Sequence, residues 1–352
     1  MRIAQVAPLF ESVPPKMYGG TERIVHYLTE ELVEMGHDVT LYAAGDSQTS
    51  AELVSVCPRS LRLDPDCKDT LAQHMVLLEL VSRQRHRHDI FHFHIDYLHF
   101  LGSRLLALPQ LTTLHGRLDL PELLPLYDVF GDMPVVSISN AQRLPLPRAN
   151  WLATVLHGLP SRLLRFTPRA SDYFAFVGRI SPEKRVDRAI EIATALGVPL
   201  RIAAKIDKDD QAYFDEHIAH LFEHPLVEYI GEISDEEKGD FIGKARALLF
   251  PIDWPEPFGL VMIEAMACGT PVVAFDHGSV REVLDDGVTG FIVNDMPSAI
   301  ARARDVTRLD RKRIRQVFEQ RFTARRMAED YARLYRELSE RHPSPGFRYR
   351  AA

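Results

Sequence analysis

The stretch Ala247-Leu-Leu-Phe250-Pro-Ile-Asp-Trp254-Pro-Glu256-Pro-Phe258-Gly259-Leu260-Val-Met-Ile-Glu264-Ala-Met-Ala-Cys268-Gly-Thr-Pro271-Val-Val-Ala-Phe275 decides the fold. Residues 247–250 and 272–275 are short apolar runs that read as buried strands. Between them lie a Pro-rich loop and an apolar helix, so the stretch is one strand-helix-strand unit of a parallel sheet. Two carboxylates are set into it. Glu256 is in the loop and Glu264 is inside the helix. Burying an unpaired charge is costly, so Glu264 requires a ligand, a cation or a donor.

The same alternation extends in both directions. Residues 3–7 read as a strand, followed by a loop with Gly19-Gly20 and a helix with Ile24, Leu28 and Leu32 on one face. Gly36 stops that helix and 38–43 is the next strand. Residues 89–94, 110–114 and 134–139 read as further strands. A second series begins with a strand at 174–177 and a turn at 178–182. Ser181 is read as the N-cap of the next helix, with Pro182 at its first position. Strands follow at 200–204 and 227–230, and Ser234-x-x-Glu237 and Ser279-x-x-Glu282 read as capping boxes. Each half is therefore expected to be a doubly wound, mainly parallel α/β sheet, with a seam at 151–168.

Hydrophobic residues make up 46% of the 352-residue chain and charged residues 26%, the balance of a soluble globular protein. That length suits two domains. A formal net charge of −7 argues against nucleic acid or an anionic membrane as the main partner. It leaves room for a local basic pocket and for peripheral membrane contact. Three cysteines, Cys57, Cys67 and Cys268, cannot complete a disulfide framework and fit no zinc spacing. A reducing, cytoplasmic location is expected from them. The opening run Met1-Arg-Ile-Ala-Gln-Val-Ala7 is short for a signal peptide, and no segment has the length of a membrane span.

Ligands of open α/β sheets bind beyond the C-terminal ends of the strands. Gly19-Gly20 stands between the first strand and the first helix, where glycine lets an anion approach backbone amides. A flexible loop would use the same residues. Arg179 and Lys184 flank the turn after the strand at 174–177. A planar fork beside a compact charge suits a diphosphate, although either could be a solvated surface charge. Phe258, Gly259 and Leu260 should open the helix with amides aimed outward. Glu264 can accept from a ribose diol and Glu256 from sugar hydroxyls. The competing reading is that acidic residues favour the helix dipole. His115, followed by Gly116, ends the strand at 110–114, where it could hold a sugar hydroxyl or serve only as hydrogen-bonded structure. His86, His88, His92, His94 and His99 invite a metal reading, but no Asp, Glu or Cys set completes a ligand shell, so no metal site is expected. His94 is instead a candidate cleft residue, and Arg117 and Asp119 are candidates for the acceptor side.

With these residues in place, the chain resembles the family 4 retaining glycosyltransferases. The matching stretches are Gly19-Gly20-Thr21-Glu22 with Gly36-His37-Asp38-Val39; Thr113-Leu114-His115-Gly116; and Val177-Gly-Arg179-Ile-Ser-Pro-Glu-Lys184. They continue in Glu256 to Ala265, in Cys268-Gly-Thr-Pro-Val-Val273, and in Gly278-Ser-Val-Arg-Glu282 with Asp286-Gly-x-x-Gly290. The stretch from Arg117 to Tyr127 and Leu144-Pro-Leu-Pro147 are also similar to the tetrahydrobiopterin glucosyltransferases and an antibiotic-pathway glycosyltransferase. The resemblance implies the GT-B fold, two Rossmann-like domains facing a central cleft. An acceptor domain would span 1–165 and a donor domain 169–322. A last helix, 323–341, would pack back on the first domain, and 342–352 would be a disordered tail.

The resemblance further implies a nucleotide-sugar donor, UDP-glucose favoured, and a small-molecule or glycan acceptor. Arg179 and Lys184 would bind the diphosphate and Glu264 the ribose. Glu256 and the amides of Phe258, Gly259 and Leu260 would hold the sugar and distal phosphate. Gly20 would approach the diphosphate, and His115 would contact the sugar near the reacting carbon. His115, Glu256, Arg179 and Lys184 are thus the expected catalytic group. Two departures stand out: Lys205-Ile-Asp-Lys208 replaces a Gly-rich turn, and Gly278-Ser279 replaces a Gly-Gly pair. The expected reaction is hexosyl transfer with retention, without a cofactor or a divalent metal. The rival readings are a nucleotide-sugar epimerase, a non-catalytic nucleotide-sugar-binding protein and a sugar phosphorylase.

Overall fold

The computed structural model describes residues 1–16 and 19–341; the stretch 342–352, read above as a tail, lies outside the described residues. The chain divides into two compact units. The first comprises Met1–Ile138 and Pro145–Leu156 together with the helix that begins at Ala324; the second comprises Ser139–Leu144 and His157–Thr323.

The first unit is built on seven strands, β1 (Arg2–Val6), β2 (Asp38–Tyr42), β3 (Glu52–Val54), β4 (Ile90–Phe93), β5 (Gln110–Thr113), β6 (Pro134–Ser137) and β7 (Asn150–Thr154). All pair in parallel, in the order β3-β2-β1-β4-β5-β6-β7. Helix α1 (Gly20–Glu34) carries the chain from β1 to β2. Parallel sheets are covered on both faces, so the central strands β4 and β5 are buried at every residue.

The second unit repeats the plan with β8 (Phe174–Arg179), β9 (Leu200–Lys205), β10 (Val227–Gly231), β11 (Ala247–Phe250), β12 (Val272–Phe275) and β13 (Gly290–Val293). Their order is β10-β9-β8-β11-β12-β13, again all parallel. The helices that matter below are α2 (Val186–Leu196), α3 (Asp235–Lys244) and α4 (Leu260–Cys268). Every residue of α4 from Met262 to Cys268 is buried, which is why its sequence is apolar on all sides. The last helix, α5 (Ala324–Arg341), belongs to the first unit. Its buried stripe of Met327, Ala328, Tyr331, Ala332, Tyr335 and Leu338 follows the helical period, and the helix packs on α1.

Both units are α/β with a strand order that reverses once, between β1 and β4 and between β8 and β11. Such a reversal opens a crevice at the C-terminal ends of the two strands.

Two local readings of the sequence are corrected. The helix after β8 starts at Val186 and not at Pro182. Residues 181–184 form a turn closed by the Lys184 amide on the Ser181 carbonyl at 3.1 Å, and Arg185 in the left-handed region (φ 53°) separates it from α2. Ser279 does not cap the helix that follows it. Its hydroxyl donates to the Phe258 carbonyl, and Glu282 instead accepts from the amides of Asn140 and Ala141. The Ser234–Glu237 capping box forms as read. The change of unit at Leu156/His157 falls within the stretch read as the seam, 151–168; strand β7, a half-buried edge strand with a register shift against β6, takes its first residues. Among the described residues, no helix is long and apolar enough to cross a membrane.

Candidate functional site

In the second unit the reversal point lies between the turn after β8 and the loop after β11. The two segments are tied together. The Asp253 amide donates to the Glu183 carbonyl at 2.8 Å, and Arg185 and Arg188 reach the Asp253 carboxylate at 2.8 and 2.9 Å. This places Lys184, from the turn, against Glu256, from the loop, as a close ion pair on Oε2. Trp254 Nε1 donates to the same oxygen at 3.0 Å, and the Lys184 ammonium lies 4.9 Å from the centre of the Trp254 ring, within cation–π range. Glu256 is only 8% exposed, and these two donors offset the cost of burying its charge. Both fall on Oε2, which turns Oε1 into the oxygen able to accept from a ligand hydroxyl.

The loop carrying Glu256 is fastened through its carbonyls. Those of Glu256, Pro257 and Phe258 accept from the Ser279 amide (2.9 Å), the Ser139 hydroxyl (2.6 Å) and the Ser279 hydroxyl (2.8 Å). Across a trans peptide the carbonyl and the next amide point in opposite directions. The N–H groups of Phe258 and Gly259 therefore face away from Ser139 and Ser279. Gly259 has φ 77°, which turns the chain into α4, whose first residue is Leu260. These amides and the positive end of the helix dipole favour negative charge at the start of α4.

Glu264 is 5% exposed and has the cation its setting demands: Lys238, from α3, at 3.0 Å on Oε1. Arg179, at the end of β8, is met by Glu183 (2.8 Å), Asp210 (3.4 Å) and Asp207 (3.6 Å). A hydrogen bond from Lys205 holds the Asp207 carboxyl below its ordinary range, whereas burial raises that of Asp210. The Lys205-Ile-Asp-Lys208 departure thus places an acidic group beside the Arg179 guanidinium.

Lys238, Trp254 and Asp253 were not singled out from the sequence. Lys238 stands one residue after the Ser234–Glu237 box, on the face of a surface helix, and only the buried Glu264 signalled that such a cation had to exist. Lys238→Ala is expected to destabilise the second unit by about 1–3 kcal/mol, because Glu264 is left buried without its partner. Urea unfolding followed by tryptophan fluorescence measures this; an unchanged midpoint would count against the pair.

In the first unit, Gly19 is the N-cap of α1 and Gly20 its first residue. A Cβ on Gly19 would lie 2.7 Å from Pro15 Cβ, so the position is closed to larger residues. His94 and His115, following β4 and β5, are bonded to each other at 2.9 Å between Nδ1 and Nε2. Burial pushes the His115 imidazole down to about 3, which keeps it neutral at ordinary pH. Arg117 and Asp119 form an exposed bidentate pair at 2.7 and 2.8 Å, and Arg117 holds the Asp119 carboxyl below its ordinary range. The ring nitrogens of His92 are taken by Tyr335 (2.6 Å) and Thr113 (2.7 Å), and those of His99 by Ser103 (2.9 Å) and Thr112 (2.8 Å). Among the described residues, no three His, Cys, Asp or Glu side chains are grouped to hold a metal ion.

Two family models match, in chain order. Glycosyltransferase Family 4 covers residues 18–179 and Glycosyl transferases group 1 covers residues 166–329. The chain belongs to the family 4 glycosyltransferases. It is 29% identical over 194 residues to the D-inositol 3-phosphate glycosyltransferase of Mycolicibacterium smegmatis, a match covering 51% of this chain and 44% of that protein. The chain thus spans less than half the length of that relative. Among solved structures it is similar to AviGT4, a glycosyltransferase involved in Avilamycin A biosynthesis, with a TM-score of 0.74 and 23% identity over 96% of this chain and 98% of that one. It is also similar to HepE of Anabaena in complex with UDP-glucose, with a TM-score of 0.71 and 18% identity over 96% and 100% of the two chains. These likenesses establish the GT-B fold of the family 4 enzymes for this chain.

Proposed function

We propose that this family 4 glycosyltransferase moves a hexosyl group, glucosyl favoured, from a UDP-sugar to a hydroxyl acceptor with retention at the anomeric carbon. The observation that carries the reading is the Lys184–Glu256 pair beside the fastened amides at the start of α4. A diphosphate approaching this point meets an ammonium, a guanidinium from Arg179 and backbone N–H groups, all fixed beforehand. The ribose diol donates to Glu264, and a sugar hydroxyl donates to Oε1 of Glu256. HepE, solved with UDP-glucose, supports the choice of donor. Three free cysteines support a reducing, cytoplasmic setting.

The acceptor oxygen attacks the anomeric carbon from the face that the diphosphate is leaving. The bond from carbon to the phosphate oxygen breaks, and that oxygen takes the acceptor's proton. Arg179, Lys184 and the α4 amides stabilise the negative charge that grows on the leaving group. Two fixed cations with these amides do what a divalent ion would do, so turnover is expected without one. The test is UDP release from UDP-glucose with a panel of hydroxyl acceptors that includes inositol 3-phosphate. Proton NMR should find the transferred sugar α-linked, as in the donor, and rates should be unchanged by a chelator. A β-linked product would overturn retention, and loss of turnover on chelation would overturn metal independence.

A further inference from the structure

The first unit has one face that is apolar where solvent favours charge. From β3 to β4, β4 to β5 and β5 to β6 the chain runs through three helices, Thr70–Arg83, Phe100–Leu106 and Leu123–Val129. Leu77 and Val81 of the first share a core with Phe91 and Phe93 of β4. The first helix touches the second. The Phe100 ring of the second lies 5.8 Å from the Tyr127 ring of the third, and Arg104 donates to the Val129 carbonyl at 2.9 Å. The three helices therefore form one layer over the sheet.

Most of the exposed large apolar side chains of the described residues belong to this layer. On the first helix they are Leu71, Met75 and Val76. The second is preceded by Tyr97 and Leu98 and exposes Leu101, Leu105 and Leu106. Leu120, Leu124 and Val129 continue the patch at the third. A surface helix normally carries charge at such positions. A leucine-sized side chain removes roughly 60–120 Å² from water when fully covered, so these eleven, at about half exposure, offer on the order of 350–700 Å². The apolar part of one side of a standard protein interface is roughly 500 Å².

Gly102 and the charges decide what fits this face. Gly102 is exposed on the second helix between Leu101 and Leu105, where glycine is a poorer helix former than alanine. Its φ is not in the left-handed region, and a Cβ there would meet no described residue within 4 Å. Neither its backbone nor its described neighbours require glycine. The notch it leaves lets the backbone of another helix come close, which a fluid lipid surface does not need. The segments 66–83, 96–107 and 117–132 hold eight acidic residues against four basic ones, a balance that repels an anionic membrane.

We propose that this face pairs two copies of the chain about a two-fold axis beside Gly102, so that Leu101 and Leu105 of each copy pack on the other. A two-fold contact uses the same patch on both copies, and one apolar face per chain is enough to build it.

The test is sedimentation velocity of the full chain at about 1–100 μM in about 0.15 M salt, where like charges more than about 8 Å apart are screened. The wild type should sediment at twice the chain mass. Leu101→Glu with Leu105→Glu would bury four carboxylates at the centre, and the dissociation constant should rise about a hundredfold or more. Those side chains are 62% and 77% exposed in the single chain, so circular dichroism should be unchanged. Gly102→Gln adds no charge and fills the notch; it should weaken the dimer about tenfold or more while keeping the helix. A monomeric wild type overturns the proposal, and so does a dimer that persists in the folded double variant. An unweakened Gly102→Gln dimer overturns the placement of the axis. A monomeric wild type that floats with phosphatidylcholine vesicles, when the double variant does not, overturns the second copy and assigns the face to a lipid surface.

Discussion

Replacing Lys184 by alanine is expected to lower kcat about 10²- to 10³-fold, the scale seen when one fixed donor to a developing negative charge is removed. The loss has two sources that can be separated. The first is electrostatic: the ammonium is a compact charge paired with Glu256 in the loop that leads into α4, and Arg179 alone, already met by three carboxylates, cannot replace it. The second is structural. Glu256, 8% exposed, would keep only the Trp254 indole on Oε2. That leaves a buried carboxylate short of a partner, at a cost of about 1–3 kcal/mol. The figure stays below that for breaking a fully buried pair because the Lys184 side chain is 18% exposed. Lys184→Ala with Glu256→Gln should recover most of the stability, since the glutamine still accepts from Trp254, but should recover none of the turnover. Steady-state kinetics and thermal melts of the single and double variants read both effects. Wild-type turnover by folded Lys184→Ala would remove Lys184 from the donor site.

How much of this was legible in the sequence depended on how far apart the partners lie in the chain. The α/β alternation was legible because apolar runs, glycine stops and Pro-rich loops are local signals. So was the demand of Glu264 for a partner, since an apolar helix states its own burial. The partner itself was not, because Lys238 reaches Glu264 from another helix and looks like any surface lysine. Ser181 and Ser279 misled for a related reason. Each has the local spacing of a cap, but the Ser181 carbonyl is used to close the turn to Lys184, and the Ser279 hydroxyl is taken by the Phe258 carbonyl. The hydrogen-bonded path Gln5–Tyr335–His92–Thr113–Tyr331 joins β1, β4, β5 and α5, and nothing in the local sequence of any one of them points to the others.

Gly278→Ala is expected to disturb the site as much as losing a charge, although the residue carries no functional group. Its φ of +59° lies in the left-handed region, where a Cβ costs roughly 1–2 kcal/mol. The added carbon would stand 2.3 Å from the Glu256 carbonyl oxygen, 2.4 Å from the Glu256 nitrogen and 2.7 Å from the Pro255 carbonyl carbon. All three are backbone atoms, so no rotamer change relieves the clash and the loop itself must move. Overpacking of that kind adds about 1–3 kcal/mol, for a total of about 2–5 kcal/mol. For a unit of this size that is a fall in melting temperature of roughly 4–20 °C. The displaced segment carries Glu256 and the amides before α4, and a shift of about 1 Å in such a group can cost about 10²-fold in rate. Ser279→Ala is the matched comparison. It removes one hydrogen bond to the Phe258 carbonyl without forcing the loop, and should cost about 1 kcal/mol with a correspondingly smaller loss of turnover. Calorimetry and UDP release on both variants give the ranking. If Gly278→Ala melts and turns over like the wild type, the close approach of Gly278 to Glu256 does not hold the loop, and the fastening of the α4 amides must rest on Ser139 and Ser279 alone.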